Sequence, residues 1–217
     1  MPAFFYRAHL LAMLAFLGLG LFFVDAAFAA STCQPTPSLA VSNYPRAKAI
    51  PHGNNLLLPA GKSVAASGQK VVIVGRLLDS RCLPITEAVV EIWQVDPYGR
   101  WLLAGRDDLV TPSATFAGAG RTITDKDGRF VFTTAFPAAL AKRAPHINMK
   151  VKAQDMKEFS TMLFFANDSR NAADATYKKT NPAARDLVTL QMGQTNDGGL
   201  TATTTIVLSG KVRYRTY

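Results

Sequence analysis

The chain has 217 residues, with 24 Lys and Arg against 15 Asp and Glu, for a formal charge of +9 at pH 7. Its length and 48% hydrophobic content suffice for one domain with its own core. The basic residues are scattered and no basic–aromatic strand motif occurs, which argues against nucleic acid; the charge excess favours acidic small molecules, acidic protein partners or anionic surfaces.

Leu10 to Val24 is an almost unbroken apolar run behind Arg7, and Ala27-Phe28-Ala29 places small residues at the −3 and −1 positions of a signal-peptidase site. The run is short for a membrane span, and no other stretch approaches the ~20 apolar residues that a spanning helix needs. We read residues 1–29 as a signal peptide and expect a secreted or periplasmic protein; an uncleaved N-terminal anchor is the alternative. Cleavage removes Arg7 and Asp25 together, so the charge excess persists. Cys33 and Cys82, an even pair in an exported chain, read as one disulfide tying the N-terminal arm to the first hairpin.

Residues 30–68 form an extended arm in this reading. Pro35, Pro37, Pro45, Pro51 and Pro59 prevent a long helix. Asn54 to Leu58 suggests a short edge strand, and His52 reads as a solvated loop histidine. Lys70 to Asp79 is a strand rich in β-branched residues. Ser80 to Pro84 makes the turn, and Ala88 to Asp96 is the return strand, ended by Pro97-Tyr98-Gly99-Arg100. Residues 102–119 form a long connection of the kind that builds sites on β scaffolds. Asp125-Lys126-Asp127-Gly128 is a turn signal rather than a calcium loop, because the downstream ligands and closing Glu are missing.

Arg129 to Phe136, His146 to Val151, Phe159 to Ala166, Asp186 to Gln194 and Leu200 to Leu208 supply further strands. Residues 167–185 read as a polar, alanine-rich loop with one helical turn, and residues 211–217 as a basic, aromatic tail. Seven or eight short strands with almost no helical periodicity predict an all-β, single-domain β-sandwich over residues 69–210.

Beyond the signal peptide the chain keeps two histidines, His52 and His146. Alternation places His146, Asn148 and Lys150 on one strand face, three residues after Arg143. Periodicity alone favours a plain reading, a histidine hydrogen-bonded inside a sandwich.

The motifs say more. Val74-Gly75-Arg76-Leu77-Leu78-Asp79, the run from Cys82 through Trp93-Gln94 to Gly99-Arg100, and the run from Phe116 through Gly120-Arg121 and Asp125 to Phe132 resemble the intradiol ring-cleavage dioxygenases, of catechol and protocatechuate type. Arg143-Ala144-Pro145-His146-Ile147, the strand Thr161 to Phe165, and Asn171 with Asp174 continue the pattern across residues 54–176. The resemblance implies a β-sandwich and a non-haem Fe(III) held by two tyrosinates and two histidines, with an arginine beside the reacting ring. Carried over residue by residue, His146 is a retained iron ligand and Arg143 the retained arginine. The two tyrosine positions are Trp101 and Leu140, the second histidine is Asn148, and a frequent glutamine is Met162.

The resemblance therefore implies a divergent member. The expectation is an exported, non-catalytic binding or structural module that has lost its iron. Its partner would be a small aromatic ligand contacting Trp101, Asn148 and Met162, or an acidic protein or surface. The alternative is an active iron dioxygenase on catechol-type compounds with an altered metal site, using Arg143 and His146. Tyr98, His52, Asp107, Asp108 and Asp155 are the residues that would have to move in to complete such a site.

Overall fold

The computed structural model describes residues 33–41, 50, 52–101 and 115–211, and the features below belong to those residues. The signal segment, most of the 102–119 connection with Asp107 and Asp108, and the tail beyond Lys211 lie outside them.

Eight strands form: β1 (Lys70–Leu78), β2 (Val89–Trp93), β3 (Ala119–Ile123), β4 (Arg129–Ala135), β5 (His146–Lys152), β6 (Phe159–Phe165), β7 (Thr189–Gln194) and β8 (Leu200–Val207). One five-residue helix, α1 (Ala175–Lys179), sits among 3-10 turns between β6 and β7. The strand order is β3-β2-β5-β6-β7-β8-β1-β4. This is the expected β-sandwich, with one continuous hydrogen-bonded path folded into two layers. The fold point is β7, whose Thr189 and Leu190 run parallel to β6 before Gln191 to Gln194 turn antiparallel to β8.

Period-2 patterning builds the core. Val71, Ile73 and Leu77 of β1, Phe130 and Phe132 of β4, and Ala202 and Ile206 of β8 face Val90 and Ile92 of β2, Ile147, Met149 and Val151 of β5, and Leu163 and Phe165 of β6. At ~25 cal/mol per Å² of apolar surface removed from water, this layer of side chains is the main favourable contribution to folding.

The N-terminal arm closes both seams of the sandwich. At one seam β3 and β4 are the open edges. Gly53 exchanges two hydrogen bonds with Arg121 of β3, while Leu56 N donates to Thr133 O of β4 at 2.7 Å and Thr133 N to Asn54 O at 2.7 Å. Residues 54–58 are thus a strap of single bridges, not the edge strand that the sequence suggests. The reason is geometric: the preceding Gly53 is pinned to β3 while Asn54 and Leu56 bond to Thr133 of β4, so the chain crosses from one edge to the other and forms a ladder with neither. Leu56 is driven fully into the core. Gly120 permits this, since a Cβ there would lie 2.4 Å from Gly53 O and 2.9 Å from Leu56 Cδ1.

At the other seam, where β6 and β8 diverge, Thr36 N donates to Val207 O at 2.9 Å and Leu39 N to Ser160 O at 3.2 Å. Cys33 anchors this arm to the β1–β2 turn through its disulfide with Cys82. In the Asp125–Gly128 turn, the Asp125 carboxylate accepts the backbone N–H groups of Asp127 and Arg129, so it serves the turn.

The disulfide spans 49 positions of sequence. Closing a loop of this length stabilises the fold by about 4 kcal/mol in the chain-entropy model. Cys33→Ser combined with Cys82→Ser should lower the stability measured by urea denaturation by a loss of that order.

Candidate functional site

Leu140 and Arg143 close a tight turn by exchanging backbone hydrogen bonds of 3.1 and 2.9 Å. Pro145 then commits the chain to an extended path, and β5 begins at His146. Alternation sends Ile147, Met149 and Val151 into the core and His146, Asn148 and Lys150 to the opposite face, as expected. That face is not open to water at its His146 end. Ala144, Met162, Phe164 and Val188 form a second apolar cluster there, covered by Leu39 of the arm and Tyr177 of α1. His146 is 5% exposed and Asn148 fully buried, whereas Lys150 reaches out to Glu158 at 3.0 Å.

His146 Nδ1 lies 2.7 Å from Ala144 O. A carbonyl can only accept, so Nδ1 carries the proton and Nε2 the lone pair. Burial, the largest effect, pulls the His146 pKa below its ordinary value. The bond to Ala144 O opposes this, and the nearby Arg143 charge reinforces it. The ring is therefore neutral at neutral pH. Asn148 Nδ2 donates to Trp93 O at 3.2 Å across the β2–β5 ladder.

Arg143 is held from two sides. Nε donates to Asp174 Oδ2 at 2.8 Å, and Nη2 lies 2.7 Å from Met162 Sδ. Asp174 has no exposed side-chain surface. Its Oδ2 also accepts Ala144 N at 3.0 Å, and its Oδ1 caps α1 by accepting Thr176 N and Tyr177 N at 2.8 and 3.2 Å. Burial alone would push the Asp174 carboxyl pKa up. The Arg143 hydrogen bond and charge and the backbone N–H donors outweigh it and hold the carboxyl below the usual range. The sequence pattern contains Asp174 but gives it no role; a signal was present, since Asp before Ala175-Thr176-Tyr177 is a helix N-cap.

Leu140 packs over the turn that carries Trp101: a Cβ on Gly99 would lie 3.6 Å from Leu140 Cδ2. The buried Asp96 shapes that turn by accepting the backbone N–H groups of Tyr98 and Arg100. Trp101 itself is partly exposed. Of the residues that would have to complete a metal site, Asp107 and Asp108 lie outside the described residues, and Tyr98, His52 and Asp155 do not approach. Tyr98 is 58% exposed with the Arg100 guanidinium 4.9 Å above its ring centre. His52 contacts Arg121 at the β3 edge. Asp155 takes a left-handed turn conformation between β5 and β6. Among the described residues no three His, Cys, Asp or Glu side chains gather as a metal site.

The four positions that the resemblance assigns to iron are thus Trp101, Leu140, His146 and Asn148. An indole N–H only donates, leucine has no lone pair, and a neutral amide is a weak ligand. Fe(III) favours anionic oxygen donors, and none of the four side chains provides one. The donor set does not fit the ion.

Two measurements check this geometry. Asp174→Ala strips a buried partner from Arg143 and uncaps α1, and should destabilise the fold by about 3 kcal/mol in urea denaturation. For His146 the unfolded chain takes up a proton near pH 6.5 while the folded site resists it, so its contribution is full above that pH and declines as pH falls below it. Stability measured between about pH 7 and pH 5 should fall in the native protein and flatten in His146→Gln.

A family model described as Dioxygenase matches residues 44–211. The beta chain of protocatechuate 3,4-dioxygenase from Burkholderia cepacia is 31% identical over 144 residues, covering 63% of this chain and 61% of that one. The alpha chain of the same enzyme is 33% identical over 153 residues, covering 66% and 77%. This chain therefore spans about three fifths of the beta chain's length. Among solved structures, the dioxygenase domain of a dioxygenase–carbohydrate-binding fusion from Streptomyces sp. SirexAA-E aligns with a TM-score of 0.65 at 24% identity, covering 81% of this chain and 99% of that domain. An intradiol ring-cleavage dioxygenase from Tetranychus urticae aligns with a TM-score of 0.64 at 18% identity, covering 84% and 98%. Matched over most of its length by the family model, the chain belongs to the intradiol ring-cleavage dioxygenase family, whose members are Fe(III)-dependent.

Proposed function

We propose that this protein is an exported, non-catalytic member of the family, a sandwich that binds a partner or small molecule without cleaving a ring. The observation that carries the reading is the donor set: of the four iron positions only His146 keeps a ligand of the family's kind. The arginine that would face a substrate ring is already engaged by Asp174 and by the Met162 sulfur. Export is supported by the apolar N-terminus and by the disulfide, which persists in oxidising compartments. The charge of +9 favours an acidic partner or ligand. A small aromatic ligand beside Trp101 is the corresponding small-molecule reading.

One observation favours the second reading, an iron dioxygenase acting on catechol-type compounds through an altered ligand set. His146 is neutral, and its Nδ1 is occupied so that Nε2 keeps a lone pair for a metal.

Metal analysis and the visible spectrum of the purified mature protein separate the two. The expected result is a colourless protein with substoichiometric iron and no turnover of catechol or protocatechuate. Stoichiometric iron with a ligand-to-metal charge-transfer band, abolished in His146→Ala, would overturn the non-catalytic reading.

A further inference from the structure

A cleft of about 380 Å³ opens between the Leu140–Arg143 turn and the helical segment around Asp174. Neither His146, Asn148 nor Trp101 is among its described lining residues. We infer that this cleft binds a small organic acid, one carboxylate on an aliphatic or alicyclic body. The inference deepens the binding-module reading and rests on it.

The charges in the cleft are lopsided. Among the described lining residues, Lys142, Arg143 and Arg170 stand against the one carboxylate of Asp174. That carboxylate is compensated by Arg143, and Arg170 is likewise paired with Asp168, which leaves Lys142 as the uncompensated charge among the described lining residues. The Asp174 carboxylate has no exposed surface, and its oxygens are taken by Arg143 Nε and by the backbone N–H groups of Ala144, Thr176 and Tyr177. Lys142 is exposed and makes no ion pair with any described residue.

The two arginines have their forks committed. Arg143 directs Nε and Nη2 at Asp174 and Met162, and Arg170 directs Nε and Nη2 at Asp168 at 2.8 and 2.5 Å. Each keeps the two N–H groups of Nη1 and one of Nη2 for further acceptors. The cleft therefore offers N–H donors from two guanidinium groups and an exposed ammonium, which suits a compact oxyanion. The walls decide the rest of the ligand. Leu140, Ala141 and Ala173 present methyl groups and no aromatic ring, so the body attached to the anion is apolar and need not be aromatic. A volume near the lower end of small-molecule sites admits such an acid.

Calorimetric titration of the mature protein with three probes tests the inference: cyclohexanecarboxylate, its neutral isostere cyclohexanecarboxamide, and inorganic phosphate. The carboxylate should bind saturably, and at least about tenfold more tightly than either other probe. Added salt should weaken it. Lys142→Glu, an exposed change that leaves the fold intact, should cost about tenfold or more, while Lys62→Glu, the same charge change on the distant arm, should leave affinity unchanged. No saturable binding, equal binding of the carboxamide or phosphate, or equal losses in the two lysine variants would overturn the inference. Failure here with a colourless protein leaves the proposed function standing. Iron-coloured protein that binds the acid overturns the proposed function and leaves the cleft.

Discussion

The buried carboxylate of Asp174 holds the functional end of this sandwich together. Through one oxygen it grips the Arg143 guanidinium and the Ala144 N–H, and through the other it caps α1. A charge with no exposed surface is tolerated only when every lone pair is met, and here the donors come from two segments, Arg143-Ala144 and Thr176-Tyr177. The entry to β5 and the segment lying over its outer face are thereby locked to one another. His146 is buried because that segment stays in place, and its neutrality follows from the burial.

The same constraint gives Arg143 a use that does not depend on iron. In an iron site it would serve a ring. Here it compensates Asp174 and rests against Met162, so removing it would leave a buried carboxylate without its cation. The retained arginine is thus not in itself a sign of retained catalysis. His146 has a structural use of the same kind, since its Nδ1–H satisfies Ala144 O beneath the apolar cover.

The strands were legible because each has one face in the core, and period-2 alternation reports that directly. The centres of the seven strands read from the pattern fall where it puts them, β2 and β7 each lose three residues at one end to turns, and β3, with only five residues, lies within what reads as the long connection and the lead-in to the Asp125 turn. The shared face of His146, Asn148 and Lys150 was legible for the same reason. The strap at residues 54–58 was not. Its composition resembles a strand, but it bonds to β4 immediately after Gly53 has bonded to β3, and only the closing of the sandwich brings those two edges together. Nor could local pattern show that the His146 face is roofed by Leu39, Tyr177 and Val188, each far from it in sequence.

The sequence by itself determined the β-sandwich, the pairing of Cys33 with Cys82, and the presence of Trp101, Leu140 and Asn148 at positions that the resemblance assigns to iron ligands. Those are matters of side-chain period, cysteine count and motif resemblance, which need no coordinates. Only the tertiary structure decided what the surviving residues do. It committed Arg143 to Asp174, placed His146 under an apolar roof with its ring neutral, and left a cationic cleft beside them. Each of these depends on burial and on contacts between distant segments, and a linear pattern carries neither.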